Sequence, residues 1–167
     1  MSRTSANRRM EPGVLQTDQR PPAQARTLFV TVGIICVLAG GLVAAAGGEA
    51  PSRHLSWAAA YLVLVCGLAQ GLLGAGQFLV AADSPTPRMV AWELVAFNLG
   101  NAGVVAGTLA GVLPALDVGS AVLLGSLGLF AWATRTSSGG GRLLIVAFRA
   151  ALVLLALSVP IGVVMAR

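Results

Sequence analysis

The stretch Leu55–Ala82, "LSWAAAYLVLVCGLAQGLLGAGQFLVAA", decides the fold. It carries no charged side chain and is longer than the roughly 20 residues of helix that cross a bilayer's hydrocarbon core. In lipid the backbone must satisfy its own hydrogen bonds, and the stretch lacks the period-two alternation of a transmembrane barrel strand, so it reads as a membrane-spanning helix. Two amides interrupt it, Gln70 and Gln77. Polar groups in hydrocarbon are costly and therefore informative.

Working outward, four more apolar runs are bounded by Gly, Pro or charge: Leu28–Ala46, Met89–Leu113, Val118–Ala133 and Leu143–Ala166. The fold class that follows is all-α, a polytopic helical membrane protein with five transmembrane helices. Composition agrees, since 56% of the 167 residues are hydrophobic and only 10% charged, far from the soluble average. The run Leu28–Ala46 exceeds the core length of a cleaved signal peptide and is expected to be a retained helix. Residues 1–26 are polar, contain Pro12, Pro21 and Pro22, and lack the apolar surface to fold alone, so a disordered basic tail is expected ahead of a transmembrane domain over 27–167.

Every basic side chain counted in the net charge of +5 is an arginine. With the N-terminus in the cytoplasm, Arg3, Arg8, Arg9, Arg20 and Arg26 of the tail, together with Arg88, Arg135 and Arg142, lie inside. Arg53 and Arg167 lie outside, and Arg149 falls within a span. This bias predicts an N-in, C-out topology. The use of arginine alone, with abundant Ala, Gly, Val and Leu, has the look of a GC-rich bacterial genome, so the expected location is the bacterial inner (plasma) membrane. The arginines sit at the ends of apolar runs without interleaved aromatics, so no nucleic-acid partner is expected.

In the second run, Gly67, Gln70, Gly74 and Gln77 are spaced to share one helix face. Small residues let a second helix approach and amides can bond across the contact. The third run supplies a glycine stripe of Gly100, Gly103, Gly107 and Gly111 beside a face carrying Asn98, Asn101 and Thr108. A tight core hairpin of the second and third helices is therefore expected, with Gln70 beside Asn98 or Asn101 near the midplane. Gln77 and Glu93 fall at a common depth toward the cytoplasmic side, where Arg149 of the fifth run can reach them. The expected intramembrane polar cluster is Gln70, Gln77, Glu93, Asn98, Asn101 and Arg149, and the expected packing residues are Gly67, Gly74, Gly103, Gly107 and Gly111.

Chemistry is otherwise sparse. Cys36 and Cys66 fall mid-span, where free cysteine packs as a small hydrophobe. One histidine, His54, does not make a haem or zinc site. His54, Trp57 and Tyr61 share a face at the expected outer interface, where aromatic rings anchor helices. Ser120, Ser126 and Ser158 have no base at a suitable depth, and no phosphate loop or dinucleotide fingerprint is present. No catalytic residue, cofactor or metal is expected. The expected partners are the lipid bilayer, other membrane subunits or further copies of the chain. The leading expectation is an accessory or assembly component of a larger membrane complex; the alternative is a small oligomeric transporter or channel lined by the Glu, Arg and amide cluster.

Overall fold

A computed structural model of the chain describes residues 22–48, 52–137 and 140–165. Five helices make up the described chain: α1 (Pro22–Ala46), α2 (Arg53–Val80), α3 (Pro87–Ala110), α4 (Leu113–Ala133) and α5 (Arg142–Met165). All five contain a span long and apolar enough to cross a membrane, and no strand occurs among the described residues. The chain is a multi-pass helical membrane protein. The first helix opens at Pro22, so the last residues of the segment expected as tail are helical; residues 1–21 lie outside the described residues.

Local chemistry explains the helix ends. Ser52 Oγ accepts from the Leu55 amide and Thr86 Oγ1 accepts from the Met89 amide, each at 3.3 Å, satisfying first-turn donors. Pro87 sits at the start of α3, where its missing N–H costs nothing. Gly111 ends α3 with φ +66°, and the Val112 amide closes back on the Gly107 carbonyl at 2.9 Å. Only Gly111 and Val112 separate α3 from α4, so the two helices must lie antiparallel and side by side.

Two glycine seams organise the bundle. Along α3 and α4, a Cβ placed on Gly103 would lie 2.7 Å from Gly119 Cα, and one on Gly100 would lie 2.6 Å from the Leu123 nitrogen. A Cβ on Gly107 would overlap the Leu116 backbone. Along α1 and α2, a Cβ on Gly33 would sit 2.8 Å from the Gly67 carbonyl oxygen, and one on Gly40 would sit 2.9 Å from that of Ala59. Gly74 faces the Phe29 ring, which leaves no room for a side chain there. With no hydrophobic drive between helices in lipid, this backbone proximity supplies van der Waals contact directly.

The expected core hairpin of α2 and α3 is thus replaced by two others, α1/α2 and α3/α4. The small face of α2 is turned to α1, and that of α3 to α4. The two hairpins meet through Phe29, Phe97 and Phe130, all fully buried. The Phe130 ring lies 5.7 Å from Phe29 and 6.3 Å from Phe97, tilted and edge-on respectively, geometries that aromatic pairs favour. The last helix leans on α4 and on the Gln70–Val80 part of α2.

The α2–α3 and α4–α5 connections pair at one end of the bundle. Ala82 donates its amide to the Thr136 carbonyl at 2.9 Å, and Ala81 bridges to Ser137. The helices bordering these connections carry Arg88 and Arg142, and Arg135 lies over the Trp132 ring at 4.0 Å.

Candidate functional site

Where the hairpins face each other, polar side chains span a gap that the backbones do not close. Gln77 Nε2 donates to Glu93 Oε2 at 2.8 Å, and both residues are 0% exposed. Toward the opposite end, the Tyr61 hydroxyl donates to Asn101 Oδ1 at 2.7 Å, while Asn101 Nδ2 donates to the Phe97 carbonyl at 2.8 Å. Two cross-braces therefore tie α2 to α3, one on each side of the Phe97 ring.

The route by which Tyr61 reaches Asn101 was hidden from the sequence. Nine residues along an α-helix rotate by about 180°, which would put Tyr61 opposite Gln70. Leu62–Ala69 is instead π-helical. A π-helix closes i→i+5 bonds and turns roughly 20° less per residue, so this segment swings Tyr61 most of the way back to the Gln70 and Gln77 side. Tyr61 accordingly braces the interior rather than anchoring at the interface, with Trp57 stacked on it at 5.0 Å.

The expected polar cluster forms in part. Gln77 and Glu93 meet at a common depth. Arg149 does not join them: it is exposed and donates to Ser137 Oγ at 3.3 Å. Its long side chain runs to the end of the bundle where the α2–α3 and α4–α5 connections pair, as cationic side chains in spans tend to do. Gln70 is fully buried, but neither of its amide atoms has a hydrogen-bond partner among the described residues. The expected pairing with Asn98 or Asn101 fails because α2 presents its glycines to α1, which holds the α2 and α3 backbones apart at that level. Asn98 bonds the Leu94 carbonyl of its own helix at 2.8 Å.

Of the packing glycines, Gly67, Gly74, Gly103 and Gly107 lie at close helix contacts. Gly111 does not: nothing lies within 4 Å of its added Cβ, and its positive φ marks it as the helix cap. Gly33, Gly40 and Gly119 complete the seams and went unread in the sequence because no buried amide on α1 or α4 marks their faces, as Gln70 and Gln77 mark that of α2.

A cavity of about 590 Å³ opens between α2, α3, α4 and α5 at the end where α2 begins. Arg53, His54 and Trp57 form its rim, Tyr61 and Ser120 lie further in, and Phe97 and Leu127 form part of its deep wall. Gln70, Gln77, Glu93 and Asn101 are not among its lining residues. Among the described residues no three metal-ligating side chains cluster, and Cys36 and Cys66 are free thiols.

No protein-family model, curated protein or solved structure matches the chain. The class of protein that fold and site define is a five-helix integral membrane protein with a buried amide–carboxyl brace and an apolar cavity at one end.

Proposed function

We propose that the chain is a non-catalytic component of the bacterial inner membrane, N-terminus inside, that works by associating with a larger membrane complex. The supporting observation is the uneven cover of its helices. The most apolar windows of α1 and α5 are only 17% and 11% buried within the chain, against 33% to 39% for α2, α3 and α4. Outside the faces that pack on α2 and α4, the terminal helices thus turn most of their apolar surface to the bilayer and to what lies in it. The connections between α2 and α3, and between α3 and α4, are short, so recognition would run through the spans.

The interior is consistent with a structural rather than a conducting role. Gln70, Gln77 and Glu93 are each 0% exposed, and the cavity wall includes none of them. Side-chain hydrogen bonds between transmembrane helices contribute about 0.6 kcal/mol on average, which suits a brace.

A second reading, proton-coupled or solute transport by an oligomer, draws on Glu93 Oε1 and Gln77 Oε1. Both are buried and without a hydrogen-bond partner among the described residues. Intramembrane carboxyl groups often mark ion pathways.

The test is to extract the protein from its own membrane in mild detergent and measure the mass of the complex and its subunits. A stoichiometric second polypeptide, retained in Glu93→Gln, is the expected result. A homo-oligomer alone, whose proton or solute flux in proteoliposomes disappears in Glu93→Gln, contradicts the association reading and establishes the transport one.

A further inference from the structure

The cavity at the α2 end has the build of a site, and its chemistry is graded along the helix axis. Its rim carries Arg53 and His54, both exposed, with the half-buried Trp57 just inside. Below them the wall is mostly aliphatic, with Val104, Leu123, Leu155 and Val159 facing the space. Four hydroxyls also line it. Thr108 bonds the Val104 carbonyl at 2.7 Å, Ser158 bonds that of Leu155 at 2.8 Å, and Tyr61 bonds Asn101. Ser120 is only 6% exposed and its Oγ has no partner among the described residues.

The Ser120 oxygen is closed off by the atoms packed around it, so at that depth the space presents a ligand with an apolar wall.

The last helix packs on α2 along Gln70–Val80, where the Phe148 ring lies 3.1 Å from a Cβ placed on Gly76. Toward the other end α5 contains Pro160, which removes a backbone donor and disfavours straight continuation. Around it Leu155, Val159, Gly162 and Val163 face the cavity, and a Cβ on Gly162 would meet nothing within 4 Å.

We infer that this cavity binds one membrane lipid with an anionic head: the phosphate lies at Arg53 and His54, and an acyl chain fills the apolar sleeve between α3, α4 and α5. An arginine guanidinium pairs with phosphate oxygens through parallel N–H donors. The apolar wall disfavours a hydrophilic solute, and about 590 Å³ is within the usual range of small-molecule sites. The inference does not depend on the association reading.

Trp57 beside the rim provides the readout. With Trp92 and Trp132 replaced by phenylalanine, Trp57 is the remaining tryptophan of three. The full chain is placed in phosphatidylcholine nanodiscs, and phosphatidylglycerol with brominated chains is titrated against brominated phosphatidylcholine. The anionic lipid is expected to quench Trp57 at about fivefold lower mole fraction, the size expected of one arginine beside an anionic head. Arg53→Gln should erase that preference. Gly162→Leu, whose side chain enters open space, should keep the helical circular dichroism of the native chain and remove the quenching by phosphatidylglycerol at low mole fraction. Equal quenching by the two lipids, quenching unchanged by Gly162→Leu, or relief of quenching by inorganic phosphate alone would each overturn the assignment.

Discussion

Two helix contacts in this molecule hold by different means. The α3/α4 contact is a seam of backbone on backbone: Gly100, Gly103, Gly107 and Gly119 have no room for a side chain. The α2/α3 contact is open at the backbone and bridged by side chains, Gln77 to Glu93 and Tyr61 to Asn101. A seam needs small residues and tolerates no addition. A brace needs two partners at one depth and tolerates a change that keeps the hydrogen bond. Lipid chains are as apolar as the helices, so neither contact draws on the hydrophobic effect; one relies on close packing and the other on polar groups that have no better partner in hydrocarbon.

The sharpest way to break the comparison is to add volume to the seam. Gly119→Leu drives a side chain into Gly103 and Val104, where an added Cβ already lies 2.6 Å from the backbone, and should cost about 3 kcal/mol or more. Unfolding in mixed detergent micelles, followed by helical circular dichroism, gives the value. Gly125, whose Cβ would meet nothing within 4 Å, is the control, and Gly125→Ala should leave stability unchanged.

The brace should respond to chemistry instead of volume. Glu93→Leu leaves the Gln77 amide buried without its acceptor and should cost about 1–2 kcal/mol in the same assay. Glu93→Gln retains an acceptor and should recover most of that loss. If the amide substitution destabilises as much as leucine does, the carboxyl does more than accept one hydrogen bond.

The smallest expected effect belongs to the other brace. Tyr61→Phe removes the bond to Asn101 while keeping the ring stacked on Trp57, and should cost about 0.6 kcal/mol. A loss several times larger would mean that the hydroxyl holds the π-helical segment in place and is not a simple cross-link.

The same comparison explains what the sequence made legible. Five spans were plain from apolar length alone, because lipid imposes one secondary structure on such runs. The common depth of Gln77 and Glu93 was also readable, since rise per residue is nearly constant and their connection is short. Rotation about the helix axis was not. The π-helical segment Leu62–Ala69 carries no proline or polar residue to announce it, yet it reorients Tyr61. Gly67 and Gly74 were recognised as packing residues, but a glycine stripe does not name the helix it will meet. Here α1 took that face, which displaced α3 and left Gln70 without its expected amide partner. Arg149 was placed by reach toward Glu93, although the same reach serves the polar end of the bundle, where Ser137 waits.

The central claim is that Glu93 belongs to a sealed structural brace with Gln77 and has no dealings with Arg149. A double-mutant cycle tests it most directly, with Gln77→Leu and Glu93→Leu measured singly and together by unfolding in micelles, beside a matching cycle of Glu93→Leu and Arg149→Ala. The account predicts a coupling of about 0.6–1.7 kcal/mol for the first pair and none for the second. Coupling between Glu93 and Arg149 with none between Gln77 and Glu93 would contradict it.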